Sequence, residues 1–301
     1  VNGISGLIYI VFGLVMMKYQ DKLLKYIPTW LLSTVVIMIA LMLLPIGSLM
    51  ISSNILVGLV AMLVASLLNL IGGNKLKMFS IPIAILASFV VALITKSIDF
   101  TILNQQMSYE FLTPKFNLES FTLIGLIGLP VIAELLGDVR NTGSCMGKNL
   151  FKEVGIGRIA IGNGLGSLIS GLFGGLPSTS YSENNGYLLY SKYTNPTAQV
   201  FTGIFFIVIS LFTPFLKVIL LIPGATLGGI ALYLYSMILI NSMKDVFDTV
   251  SISRDKKKIT IITLMIALFF VEFIIGSISI SSIAVATIIG IILNAIIPER
   301  N

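Results

Sequence analysis

The 301-residue chain is 56% apolar and only 11% charged, with a mean hydropathy of +1.02. Soluble domains hold roughly 45–50% apolar and about 25% charged residues, so this composition excludes a water-soluble domain and indicates a membrane protein. The net charge of +6 lies in short loops between apolar runs, which speaks for membrane topology and against nucleic-acid binding; with no histidine and one cysteine, Cys145, there is neither an intrachain disulfide nor a His/Cys metal site.

A membrane span needs roughly 20 mostly apolar residues. Runs of that kind predict helical spans near 2–17, 29–50, 54–72, 79–96, 120–138, 157–175, 198–221, 225–242, 258–275 and 280–297. Strand-like alternation is absent, so helices rather than a barrel satisfy the backbone. The first run begins at Val1 with no basic leader, as expected of a chain internal to a longer protein rather than of a signal peptide. Residues 97–119 form the longest connection, mildly amphipathic, and are expected to lie on the membrane surface. In 157–175, Gly162, Gly166, Ser170 and Gly174 recur at four-residue spacing, which predicts a bare helix face for close packing. "GIGRIA" at 155–160 fits a dinucleotide-binding glycine pattern formally, but a span follows it and no strand precedes it, so it is set aside.

The basic clusters give the topology. Lys18, Lys22 and Lys25; Lys75 and Lys77; Arg140, Lys148, Lys152 and Arg158; and Lys244 with Arg254–Lys258 all fall on one side only if the polar segment 177–192 also crosses. That parity puts the C-terminus in the cytoplasm. It also makes "LPSTSYSENNGYLLYSK" a membrane element rather than a surface loop. Its first half, broken by Pro177 and rich in hydroxyls, reads as extended chain. Ser180-Tyr-Ser-Glu183 has the spacing of a capping box that opens a short helix. Irregular backbone at bilayer depth is tolerated where it lines a cavity, and discontinuous helices of this kind form transporter sites.

Acids within spans cost about 2.5–3.5 kcal/mol each on insertion scales and are site candidates by default. Glu134 and Asp138, in "VIAELLGDVR", are four apart and share a helix face; Glu183 stands in the capping box; Glu272 lies near a helix end without polar neighbours. The plain alternative for Asp138, with Arg140 just beyond, is a solvated helix end.

"ENNGYLLYSK" at 183–192 resembles the signature of the nucleobase–ascorbate transporter family, the nucleobase–cation symporters. Glu183, Asn184, Gly186 and Lys192 fit its pattern, and Ser191 replaces a threonine. Residues 162–186 look like the matching stretch of bacterial uracil permeases, and "AELLGD" at 133–138 resembles the family's eighth-span motif. The resemblance implies an all-α polytopic transporter of the seven-plus-seven inverted-repeat type. On that template the chain lacks the first three spans and keeps about eleven membrane segments, one a short half-helix behind an extended stretch. Core-domain parts would be 1–18 and 119–222, the latter holding the substrate site; gate-domain parts would be 26–97 and 223–298.

By the same resemblance Glu134 and Glu183 bind the nucleobase, with Tyr181, Ser182 and Asn184 beside it. Glu134 and Asp138 carry the coupled proton, and Asn163, Ser180 and Gly186 support the site. Glu183 is the uracil-type residue, whereas Asp138 occurs in many xanthine and urate carriers; the longer match at 162–186 favours uracil. The expected function is nucleobase import by symport with H⁺ or Na⁺, with alternating access between core and gate. It needs no cofactor or metal, and proceeds in the plasma membrane in a protein of a family that often dimerises through the gate. Alternatives are a non-transporting fragment, an anion carrier of the same fold, and, more remotely, an intramembrane aspartyl protease, whose motif would need glycine where Leu135 stands.

Overall fold

The computed structural model describes residues 2–24, 27–105, 132, 135–140, 142–143, 146–176, 178, 180, 195–251, 254–275 and 278–298. The described helices are α1 (Asn2–Leu24), α2 (Thr29–Ile51), α3 (Ile55–Ile71), α4 (Asn74–Met78), α5 (Ser80–Ile94), α6 (Leu150–Glu153), α7 (Ile156–Leu172), α8 (Pro196–Ser210), α9 (Thr213–Leu220), α10 (Gly224–Thr249), α11 (Lys256–Phe269) and α12 (Ser282–Ile296). Residues 135–140 are also helical, and Phe100–Asn104 form a 3₁₀ turn. The chain is therefore all-α and polytopic in character. Among the described residues, α2 and α10 are each long and apolar enough to cross a membrane, α8 with α9 makes a third candidate, and four further apolar helices are shorter.

Two expected spans differ from the observed elements. The run 198–221 is not one helix: α8 and α9 meet at a 93° bend. Pro214 stands in the first turn of α9, where it lacks an N–H for a continuing helix and disfavours helical backbone at the residue before it. The run 258–275 ends as a helix at Phe269, and Phe273–Ile275 pair antiparallel with Ile278–Ile280 as strands β1 and β2. The β-branched and aromatic residues of 273–275 and 278–280 suit paired strands better than a helix. Glu272 consequently lies exposed, beyond the helix rather than within it.

The chain divides into two compact units. The first comprises 1–41, 111–182 and 238–301. Its core is built on Tyr9, Met16, Leu31, Met38, Leu135, Leu136, Ile156, Ile261 and Met265, all buried. In it α1 and α7 pack through reciprocal glycines. A Cβ on Gly6 would lie 2.5 Å from the Gly164 carbonyl oxygen, and one on Gly164 would lie 2.7 Å from that of Gly6. Gly13 and Gly157 repeat the relationship, at 2.7 and 2.6 Å. Seven residues are close to two helical turns, so each glycine pair shares a face and the backbones meet there.

The expected bare face, Gly162 and Gly166, is not the one that meets α1. A Cβ on Gly162 meets nothing within 4 Å among the described residues, and one on Gly166 meets only Ser178 Oγ, at 3.6 Å. Residues two apart on a helix point about 200° apart, so the face that meets α1 through Gly164 turns Gly162 and Gly166 away from it.

The second unit comprises 42–110 and 183–237. Asn54 caps α3, its Oδ1 accepting from Val57 N at 3.2 Å, while its Nδ2 donates to Ser97 Oγ at 2.6 Å. Within this unit Gly58 and Gly229 let two backbones approach, and Ser88 Oγ donates to Thr226 Oγ1 in a buried bond of 3.1 Å. Phe201, Phe205 and Phe206 on α8 are exposed, as lipid-facing side chains are in a membrane helix.

Candidate functional site

The site residues that can be described lie along one stripe of α7 and on the chain that folds back beside it. Asn163, Ser167 and Ser170 fall at i, i+4 and i+7, one face of the helix. Past the end of α7, Gly174 takes φ +78, a left-handed conformation that a side chain would oppose, and the chain reverses. The serines then hold the returning segment. Ser170 Oγ donates to the Leu176 carbonyl at 2.7 Å, and Gly175 N donates to the Ser170 carbonyl at 2.8 Å. Ser167 Oγ donates to the Ser178 carbonyl at 2.7 Å and accepts from Ser178 N at 3.1 Å. At 175, 176, 178 and 180 the backbone is neither helix nor strand; the Leu176 carbonyl and both backbone groups of Ser178 are bonded by the serine side chains of α7. Ser178 and Ser180, the described residues of the segment's first half, are non-helical as the sequence pattern expects.

The returning chain brings Ser180 to Asp138. Ser180 Oγ donates to Asp138 Oδ2 at 2.7 Å, and Asp138 is buried at 8% exposure. The helical residues 135–140 are fixed by Leu135 and Leu136, which bury into the unit's core and set the orientation of the turn that bears Asp138. Asp138 is thus no solvated helix end: a carboxylate held out of water accepts a hydroxyl from the segment that leads to Glu183. One turn before Ser167 on the α7 stripe, the buried Nδ2 of Asn163 has no hydrogen-bond partner among the described residues. A buried donor left so costs about 1–3 kcal/mol, and it faces the polar side of α7 rather than the glycine side.

Of the residues expected at the site, Asp138 and Ser180 are joined directly and Asn163 shares the α7 stripe with the serines that anchor the segment. Glu134, Tyr181, Ser182, Glu183, Asn184 and Gly186 lie outside the described residues. The sequence pattern marks Ser170 only as part of a small-residue face and does not single out Ser167 or Ser178, although the i, i+4, i+7 spacing of Asn163, Ser167 and Ser170 marks a polar helix face. No cluster of metal-ligating side chains occurs among the described residues.

Comparison with known proteins follows this geometry. A family model described as "Permease family" matches residues 3–275, nearly the whole chain. A probable uracil permease of Haemophilus influenzae is 24% identical over 98% of this chain and 75% of its own length. A uracil permease of Paenibacillus larvae is 28% identical over 79% of this chain and 58% of its own. The putative pyrimidine permease RutG of Escherichia coli is 25% identical over 98% and 70%. The chain thus spans 58–75% of the length of these relatives. With most of the chain inside the family model, and with the carboxylate helix and the serine-anchored segment where the motifs resemble the family's, this multi-pass membrane protein belongs to the permease family of nucleobase–ascorbate transporters.

Proposed function

We propose that the chain is the substrate-binding part of a nucleobase permease, with uracil the favoured substrate and xanthine or another purine next, working by symport with a cation, H⁺ before Na⁺. The observation that carries the reading is the Ser180–Asp138 hydrogen bond, which ties the acid-bearing helix to the irregular segment ahead of Glu183. The names of the relatives, uracil permeases and a pyrimidine permease, support it; a putative purine permease of Clostridium perfringens, 25% identical over 96% of this chain, supports the runner-up substrate.

In this reading Glu134 and Glu183 accept hydrogen bonds from nucleobase ring N–H groups. Backbone N–H groups near Ser182 and Glu183 donate to a ring carbonyl, with Tyr181 and Asn184 alongside. Such a site discriminates strongly, because an analogue lacking one of these groups leaves buried polar atoms unpaired. Glu134 and Asp138 take up the coupled proton, since no histidine exists to do so. Asn163, Ser180 and Gly186 hold the segment's shape. The core, 1–18 and 119–222, then moves against the gate, 26–97 and 223–298, to expose the site on alternate sides of the plasma membrane. The C-terminus is assigned to the cytoplasm by the basic clusters, and homodimerisation through the gate completes the proposal.

The test is binding of radiolabelled uracil, xanthine and sulfate to the purified chain, with uptake by proteoliposomes under an imposed pH gradient. Saturable uracil binding, displaced by unlabelled uracil and lost in Glu134→Gln, is expected. Sulfate binding without nucleobase binding would instead identify an anion carrier of the same fold. Nucleobase binding without uptake would leave a non-transporting fragment. Uptake indifferent to a protonophore and to amides at both Glu134 and Asp138 would rule out proton coupling.

A further inference from the structure

A second polar site lies in the first unit, where the end of α1 meets the start of α7. A cavity of about 500 Å³ opens there, lined by Lys18, Lys22, Lys152 and Arg158, with Tyr19 and Gln20 among its other walls. None of the four cations forms an ion pair among the described residues; Lys18 Nζ stands 5.4 Å from the Tyr19 ring centroid and Arg158 reaches only the Val154 carbonyl, at 3.5 Å. The Glu153 carboxylate is engaged elsewhere, accepting from Asn149 N at 3.1 Å.

Two of these cations stand where electrostatics opposes them. Lys152 and Arg158 flank the N-terminus of α7, the positive end of its dipole, which favours an anion. Gln20 locks the corner: its Nε2 donates to the Phe151 carbonyl at 2.9 Å and its Oε1 accepts from Ile156 N at 2.8 Å. The following first-turn amides, Gly157 and Arg158, have no carbonyl a turn earlier in the helix to bond. Four cations without an ion pair among the described residues, the N-terminal turn of α7 and a cavity between them together describe an anion site that nothing in the transport reading uses.

The apolar surroundings choose the anion. Val11 and Leu14 on α1 are exposed at 60% and 58%, at i and i+3, and lead along the helix to Lys18 at i+7. Met17 at the mouth is exposed at 59%, and Tyr19 at 43%, the kind of aromatic side chain found at membrane interfaces. An apolar track ending in a cationic cavity matches an acyl chain ending in a phosphate. We propose that this cavity binds the phosphate of an anionic phospholipid headgroup, with the acyl chain along the Val11–Leu14 stripe.

The test is native mass spectrometry of the detergent-solubilised chain, titrated with phosphatidylglycerol, with phosphatidylcholine, and with inorganic phosphate. Phosphatidylglycerol is expected to be retained in preference to phosphatidylcholine, and the preference to weaken with salt. Lys152→Gln with Arg158→Gln should cut its retention about tenfold or more, while Lys256→Gln, an exposed lysine outside the cavity, leaves it unchanged. Lys18→Gln with Lys22→Gln, on exposed turns of α1, carries the same test should the first pair misfold. Equal retention of the two lipids, or retention unaffected by either pair of substitutions, overturns the proposal. Variant-sensitive binding of inorganic phosphate with no lipid preference also overturns it, by making the site one for a soluble phosphate.

Discussion

Ser180 and Asp138, 42 positions apart, share a hydrogen bond of 2.7 Å between hydroxyl and carboxylate. Asp138 is buried and Ser180 sits on a segment held by Ser167 and Ser170, so the bond joins the acid-bearing turn to the chain before Glu183. Asp138→Asn keeps an acceptor for Ser180 but removes the titrating group; uracil binding should survive within a few fold while the pH dependence of uptake is lost. Ser180→Ala should weaken binding and leave the pH dependence in place. Coupling between the two positions, read as non-additivity of binding free energies in the double variant, should fall within about 0.5–3 kcal/mol. Strict additivity would show that the bond has no part in binding.

The glycine faces of α7 give the second prediction. Gly164→Ala forces a Cβ to 2.7 Å from the Gly6 carbonyl, where only backbone movement relieves the contact, and should destabilise the chain by about 1–3 kcal/mol. Gly162→Ala meets no atom within 4 Å among the described residues and gains helix propensity, so it should be neutral or slightly stabilising. Thermal unfolding of the two variants in detergent, followed by helicity, separates them. The reverse order would restore the Gly162–Gly166 face as the packed one.

Much of this was legible in the sequence, and the errors have physical causes. Hydropathy located the helices because a bilayer demands long apolar runs. It could not see the break at Pro214 or the β1–β2 hairpin, since phenylalanine and isoleucine are equally apolar in a helix, a bend or a strand. The Gly162–Gly166–Ser170 spacing predicts a packing face because small residues at i, i+4 allow close approach, but that face is not the one turned to α1. The structure used the seven-residue pairs Gly6–Gly13 and Gly157–Gly164, and that choice depends on a partner helix carrying glycines at the same interval. Asp138 was identifiable as an acid in an apolar run, but its partner was not. The link to Ser180 requires the chain reversal at Gly174 and the serine anchors, which no local pattern displays.

Asn163 offers a test of stability against function. Its buried Nδ2 lacks a partner among the described residues, so Asn163→Leu should hold or raise the unfolding temperature. The same change strips the α7 stripe of the polar group nearest the returning segment's far end, and should lower uracil binding. A variant both less stable and unchanged in binding would show that the amide is structural only.

Acid stability supplies the last prediction, from a group outside the spans. Asp255 precedes α11, and its carboxylate is held below its ordinary range first by the Ser251 N–H that donates to Oδ2 at 2.8 Å, with Lys258, 3.4 Å away, acting in the same direction against the effect of burial. A carboxylate whose folded-state value is depressed binds its proton more readily in the unfolded chain. Its contribution to stability is therefore complete above the ordinary carboxylate value of about 4 and is lost as pH falls through the lower folded-state value. Asp255→Ala should consequently lower the unfolding temperature at neutral pH. The difference from the unsubstituted chain should shrink steadily on acidification, as measured by thermal unfolding in detergent across that range. Because the Lys258 pair is exposed to solvent, raising the salt concentration should remove only part of the difference, the Ser251 hydrogen bond keeping the rest. A difference that stays constant with pH would mean that the side chain acts by shape and not by charge.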